Sequence, residues 1–230
     1  MMAGMTAGTT PGINPRTALN IRLYGIIDPL RCQGRDIVPL VKQAAAGGIT
    51  LLQYRDKTAD TRTLVENARA IKQALTGTGI PVLMNDRVDV ALAAKLDGVH
   101  IGQSDMTPAD ARRLLGADAI IGLTVKTADQ AKVAPLDIID YACIGGVHAT
   151  LSKDNPSAIG LEGWVERAAP LRARDPSFPV GAIAGIDETN AADVMAAGAD
   201  GVAIISGMFM QDDVEAATAN LKAILEGATQ

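Results

Sequence analysis

Gln53-Tyr54-Arg55-Asp56-Lys57 closes an apolar run, Ile49-Thr50-Leu51-Leu52, with an amide and two cations at alternate positions. Alternate side chains of an extended chain point the same way, so Gln53, Arg55 and Lys57 project together from the end of a buried strand. Two cations and an amide donor converging there suit a polyanion, most simply a phosphate or diphosphate. The competing account is a solvated strand end whose cations pair with Asp56 and Asp60.

Two further stretches carry carboxylates at similar places. Pro81-Val82-Leu83-Met84 runs into Asn85-Asp86, and Gly98-Val99-His100-Ile101 runs into Gly102-Gln103-Ser104-Asp105. If these are neighbouring strands, Asp86 and Asp105 could share one hard cation; Mg²⁺ takes one or two carboxylates, keeps waters and bridges to substrate phosphate. Taken singly, each Asp could instead cap the helix that follows it, near Val88 or after Thr107. His100, between Val99 and Ile101, reads first as a hydrogen-bonded core histidine. His148 has no carboxylate or thiol near it in sequence to make a nucleophilic dyad, and no zinc-ligand spacing is present. Met208 and Phe209 read as core or pocket wall.

What positions these groups is an alternation of short apolar runs and helical patterns. Strands are expected over about 21–27, 49–55, 81–84, 98–101, 119–123, 141–144, 178–183 and 201–205. Helices are expected over about 36–46, ending at Gly47-Gly48, 60–75 with Asp60 as N-cap, 88–94, one opened by Thr107-Pro108, 160–172, 187–197 and 213–225. Eight such units in 230 residues describe one (β/α)₈ TIM barrel. A doubly wound open sheet is the alternative, but it usually has fewer strands and a glycine fingerprint after the first strand, which is missing.

Composition agrees. Apolar residues make up 48% and aromatics 3%, so the core is aliphatic, as in parallel sheets covered by helices. A net charge of −5 argues against nucleic acid as partner and makes any anion site a local pocket. No apolar stretch reaches the roughly 20 residues that span a bilayer. The two cysteines, Cys32 and Cys143, suggest a reducing, cytoplasmic setting and not a disulfide framework. Residues 1–19, rich in Gly, Thr and Pro, read as a disordered leader before a single domain over 20–230.

In a barrel, chemistry gathers at the C-terminal ends of the strands. Those ends hold Gln53, Arg55 and Lys57; Asn85 and Asp86; His100 and Asp105; Thr124; a loop with Thr150, Ser152 and Lys153; Gly185; and Ser206-Gly207. The opposite ends offer mostly Gly, Ala, Asp and Pro turns. Gly185 and Ser206-Gly207 suggest a second phosphate site, where late barrel loops bind anions through backbone N–H groups.

In this order and spacing, Gln53–Lys57, Asn85–Ala91, Gly98–Asp105, Ala182–Ile186 and Gly198–Ala203 resemble the thiamine-phosphate synthase family over nearly the whole chain beyond the leader. The resemblance implies coupling of hydroxymethylpyrimidine diphosphate to thiazole phosphate, with Mg²⁺, giving thiamine phosphate and diphosphate. It places Gln53, Arg55, Lys57 and Asn85 on the pyrimidine diphosphate, with Arg55, Lys57 and Lys153 as the catalytic cations. Asp86 and Asp105 would hold Mg²⁺, and Thr124 would stand near the diphosphate where the family usually has Ser. Thr150, Ser152, Gly185, Ile205 and Ser206 would meet the thiazole phosphate. It is also compatible with a homo-oligomer. The chain departs from the family in Gly145–Lys153, which lacks two prolines and carries His148 for an aromatic, and at Ala184, usually Gly. Three rivals remain: a thiazole tautomerase on the same scaffold, another phosphate-binding barrel isomerase, and a non-catalytic sensor of thiamine intermediates.

Overall fold

The computed structural model describes residues 19–149 and 158–228. Eight strands, β1 Leu23–Ile27, β2 Leu51–Tyr54, β3 Val82–Asn85, β4 Gly98–Ile101, β5 Ile120–Val125, β6 Tyr141–Gly145, β7 Val180–Ile183 and β8 Gly201–Ile204, pair in chain order. All pairings are parallel, and β1 closes on β8 with Leu23 opposite Val202. Closure removes the open-sheet alternative. Helices α1 Ile37–Gly47, α2 Thr61–Ala74, α3 Val88–Ala94, α4 Pro108–Leu115, α5 Ala128–Val133, α6 Gly160–Arg174, α7 Ala191–Ala196, α8 Ser206–Phe209 and α9 Val214–Gly227 follow the strands, and a 3₁₀ turn spans Pro29–Arg31.

Helix starts follow local chemistry. Asp36, Asp60, Thr107 and Asp213 each accept a backbone N–H of the first turn, from Val38, Thr63, Asp110 and Ala216, which satisfies an otherwise orphaned donor. The helix expected over 187–197 forms only as Ala191–Ala196. Asp187 is diverted into a turn, accepting from the Thr189 amide at 2.9 Å and its hydroxyl at 2.6 Å, a local alternative to the helix. The second strand, expected over 49–55, is shorter in the same way: Asp56 gathers Thr58 N, Thr58 Oγ1 and Ala59 N. Helix α5, not located from sequence, is six residues long and starts where Thr127 accepts from Gln130 N at 3.2 Å.

The N-terminal rim is held by one device used three times. Asp97, Asp140 and Asp200, each just before an even-numbered strand, accept a backbone N–H from the first or second residue of the preceding strand, from Val82, Ile121 and Val180, all at 2.7 Å. Each also meets a cation from the helix layer, Lys72, Arg112 and Arg172 respectively. These carboxylates pin strand register at the end away from the chemistry.

Two apolar layers result. One lies between sheet and helices; the other fills the barrel with Ile21, Ile26, Leu51, Leu83, Ile120, Cys143, Ile183 and Ala203, together with two tyrosines, Tyr24 and Tyr141. Among the described residues no helix is long and apolar enough to cross a membrane.

Candidate functional site

Strand β2 delivers what its alternation promised: Gln53, Arg55 and Lys57 line one cavity of about 520 Å³, with Asn85, Asp86, His100, Asp105 and Thr124 opposite. Asp56 and Asp60 serve turns and a helix start, so they do not take the two cations. Arg55 is paired with the buried Asp28 at the end of β1, and Lys57 donates to Asp86 at the end of β3.

The capping account of the two carboxylates does not hold. The residue before α3 is Arg87, with no side-chain cap, and α4 is capped by Thr107. Asp86 instead sits at φ +60°, a backbone region that Asp tolerates better than most residues, with its N–H bonded to His100 O at 2.8 Å. That conformation turns its carboxylate into the cavity. Asp105 accepts from Gly102 N at 2.7 Å, which folds the Gly102–Asp105 turn back toward Asp86. Burial pushes the Asp86 carboxyl above the usual carboxylate range; Lys57 pulls it down, and the nearby Asp105 carboxylate pushes it further up. Two oxygen-donor carboxylates this close, one of them desolvated, fit a hard divalent cation between them. Groups of three or more His, Cys, Asp or Glu with metal-site geometry do not occur among the described residues, so such a cation would complete its shell with water or phosphate.

The cavity floor, which Tyr24, Gln53, His100 and Thr124 line, is a buried polar layer with no local signature in the sequence. Gln53 Nε2 donates to the Tyr24 hydroxyl, and the Tyr24 and Tyr141 hydroxyls bond to each other at 2.9 Å. His100 Nδ1 meets Tyr141 Oη at 2.9 Å, and His100 Nε2 meets Thr124 Oγ1 at 2.8 Å. Gly122 makes room for this: a Cβ there would lie 2.2 Å from Tyr141 Cζ and 2.5 Å from His100 Nδ1. Burial raises both phenol pKa values well above the usual range, so the hydroxyls stay neutral. His100 is thus a bonded interior histidine, as its apolar neighbours suggested, but its bonds lead to the site.

A second cavity of about 550 Å³ opens beside the first, lined by Gly185, Ser206, Gly207, Asp187 and Gln211 and sharing Ile183 and Ile205 with it. The segment after β6 extends the wall: Gly146 N donates to Ile183 O and His148 N to Ala184 O, both at 3.0 Å. Gly185, at φ +65°, passes so close that a Cβ would lie 2.4 Å from Ala149 O. Ala184 sits at φ +91°, a region where its Cβ is strained. Thr150, Ser152 and Lys153 lie outside the described residues, as do residues 1–18.

The structure also adds members. Asp28, Tyr24 and Tyr141 are buried partners of predicted residues, and Lys126 lines the first cavity two positions beyond Thr124. Lys126 was legible in principle, since it repeats on β5 the alternation seen in Gln53, Arg55 and Lys57.

Comparison with known proteins follows the same lines. A family model described as thiamine monophosphate synthase matches residues 23–208. The thiamine-phosphate synthase of Agrobacterium fabrum (strain C58) is 48% identical over 211 residues, covering 91% of this chain and 96% of that protein. That of Chloroflexus aurantiacus is 42% identical, covering 89% and 92%. Among solved structures, thiamine phosphate pyrophosphorylase from Pyrococcus furiosus superposes with a TM-score of 0.79 at 33% identity, over 94% of this chain and 99% of that one.

Proposed function

The chain belongs to the thiamine monophosphate synthase family, and from that premise we propose that it is the transferase joining hydroxymethylpyrimidine diphosphate to thiazole phosphate, with release of diphosphate. The observation that carries the reading is the first cavity: Arg55, Lys57 and Lys126 stand beside an Asp86–Asp105 carboxylate pair, the lining a diphosphate with a divalent cation requires.

Activated nucleophiles are not seen among the described residues of this cavity, so catalysis rests on positioning and on stabilising the departing group. Gln53 and Asn85 hold the heterocycle. Arg55 and Lys57 face the diphosphate and offset its charge as the methylene–oxygen bond breaks, which leaves electron deficiency on the pyrimidine methylene. Thr124 offers a hydroxyl at the anion end. The thiazole phosphate, held in the second cavity at Gly185 and Ser206, presents its ring nitrogen across the shared wall of Ile183 and Ile205. Mg²⁺ held by Asp86 and Asp105 would supply Lewis-acid neutralisation of the leaving diphosphate. Lys153 joins this set as a further cation by motif.

The test is product analysis with purified protein and both substrates, with and without Mg²⁺. Equal amounts of thiamine phosphate and diphosphate, dependent on Mg²⁺, are expected. Isomerised thiazole without diphosphate, or binding of both substrates without product, would overturn the proposal.

A further inference from the structure

The interior chain Gln53–Tyr24–Tyr141–His100–Thr124 joins two places in the site that the mechanism treats separately, the amide that meets the heterocycle and the hydroxyl at the anion end. Every member is a group with both donor and acceptor capacity. Such a chain satisfies all of its members only when it runs in one sense throughout.

In the first sense, Gln53 Nε2 donates to Tyr24, Tyr24 donates to Tyr141, and Tyr141 donates to His100 Nδ1. His100 then carries its proton on Nε2 and donates to Thr124 Oγ1, which leaves the Thr124 hydroxyl proton free to face the cavity. In the opposite sense Thr124 donates to His100 Nε2, His100 Nδ1–H donates to Tyr141, and Tyr141 donates to Tyr24. Tyr24 must then donate to the Gln53 carbonyl, with the amide turned over. A mixed arrangement leaves a hydroxyl proton without an acceptor inside the chain, which is costly in a buried setting. Gln53 Nε2 on Tyr24 is the contact the first sense requires, and the 2.9 Å contact between the Tyr24 and Tyr141 hydroxyls serves either sense, since each hydroxyl can donate or accept.

The two ends are therefore linked. An anion at the Thr124 end takes the hydroxyl proton as a hydrogen bond, which requires the first sense. The same sense puts the Gln53 carbonyl oxygen, an acceptor, toward the cavity it lines. We propose that Tyr24 and Tyr141 are positioning residues which, through His100, tie the Gln53 amide orientation to the Thr124 hydroxyl, so that a bound anion makes the pocket select an amino-substituted pyrimidine over its oxo counterpart. The proposal rests on the functional reading above, which places a pyrimidine at Gln53 and a diphosphate at Thr124. The burial that keeps both phenols neutral keeps charge out of the chain, and Gly122 keeps the Tyr141–His100 contact open.

The experiment is calorimetric titration of the hydroxymethyl aminopyrimidine and of its oxo analogue, each with and without saturating inorganic diphosphate, in wild type, Tyr24→Phe and Tyr141→Phe. In wild type, diphosphate is expected to tighten the amino compound at least about fivefold, the low end of ordinary coupling between sites, and not the oxo compound. Both variants are expected to lose this enhancement, and Tyr24→Phe to bind the two compounds within about threefold of each other, since its amide turns freely. A second readout needs no variant. The chain holds two histidines, so ¹⁵N spectra resolve His100, and diphosphate is expected to place its proton on Nε2. Preserved enhancement in folded Tyr141→Phe, or a proton on Nδ1 with diphosphate bound, overturns the relay. Failure of wild type to bind either pyrimidine overturns the functional reading instead.

Discussion

Lys57, half exposed at the end of β2, donates to the largely covered Asp86 carboxylate at the end of β3, so one contact ties a cation of the proposed anion site to a proposed metal ligand. Replacing Lys57 with Ala removes charge that develops its full effect as diphosphate departs. A fall in kcat of about 10²–10³-fold is expected, the scale of losing one preorganised electrostatic contact. The barrel is expected to stay folded, because the pair is open to solvent on its half-exposed Lys57 side and contributes little stability. Steady-state kinetics with circular dichroism on the same sample checks both halves; near wild-type kcat would contradict the role.

Asp86 gives a pH signature. Its folded-state carboxyl is raised above the ordinary value, by burial first and by Asp105 as well, against the pull of Lys57. A raised acid binds more protons folded than unfolded, so without Mg²⁺ the protein loses stability as pH rises from the ordinary carboxylate value of about 3.9 through the raised one. Bound Mg²⁺ should oppose that trend, since it needs the ionised form. Thermal melts across that range with and without Mg²⁺, in wild type and Asp86→Asn, check this; the variant should flatten both curves.

Asp140 belongs to the other end of the barrel. It accepts Ile121 N and meets Arg112, and is nearly covered. Removing one partner of such a pair costs about 3 kcal/mol, which lowers Tm by roughly 6–12 °C for a chain of this length. Asp140→Ala should keep KM and kcat within about twofold when assayed well below its Tm. A large loss of kcat there would mean that the rim is coupled to the site.

Ala184 offers a gain. At φ +91° its Cβ is strained, and Ala184→Gly removes that strain at a smaller entropic cost. A rise of about 1 kcal/mol in unfolding free energy is expected, read from denaturant melts. The KM for thiazole phosphate should fall as the neighbouring backbone relaxes. An unchanged or lower stability would contradict the strain.

The barrel was readable because each βα unit carries its own local evidence. Alternation at Gln53, Arg55 and Lys57 and caps at Asp60 and Thr107 are decided within a few residues. Asp86 was harder: taken alone in sequence it reads more readily as a cap of α3, and only the place of Arg87 before that helix, the positive φ of Asp86 and its Lys57 contact exclude that. Tyr24 and Tyr141 could not be seen at all. They lie 117 residues apart, and an aromatic inside an apolar run reads as packing until closure of the barrel brings their hydroxyls together. The Asp97, Asp140 and Asp200 device was hidden for the same reason, since each looked like an ordinary turn residue.

Pairing of the first strand with the last has a consequence for how the chain is made. β1 leaves the ribosome well over a hundred residues ahead of its partner β8, so one of its edges waits on the order of ten seconds or more at usual elongation rates. During that time the row of unpaired backbone groups on Leu23–Ile27 is a template for any other strand. Slow synthesis, or a truncation before Gly201, converts the seam that makes the finished barrel edgeless into a point of aggregation.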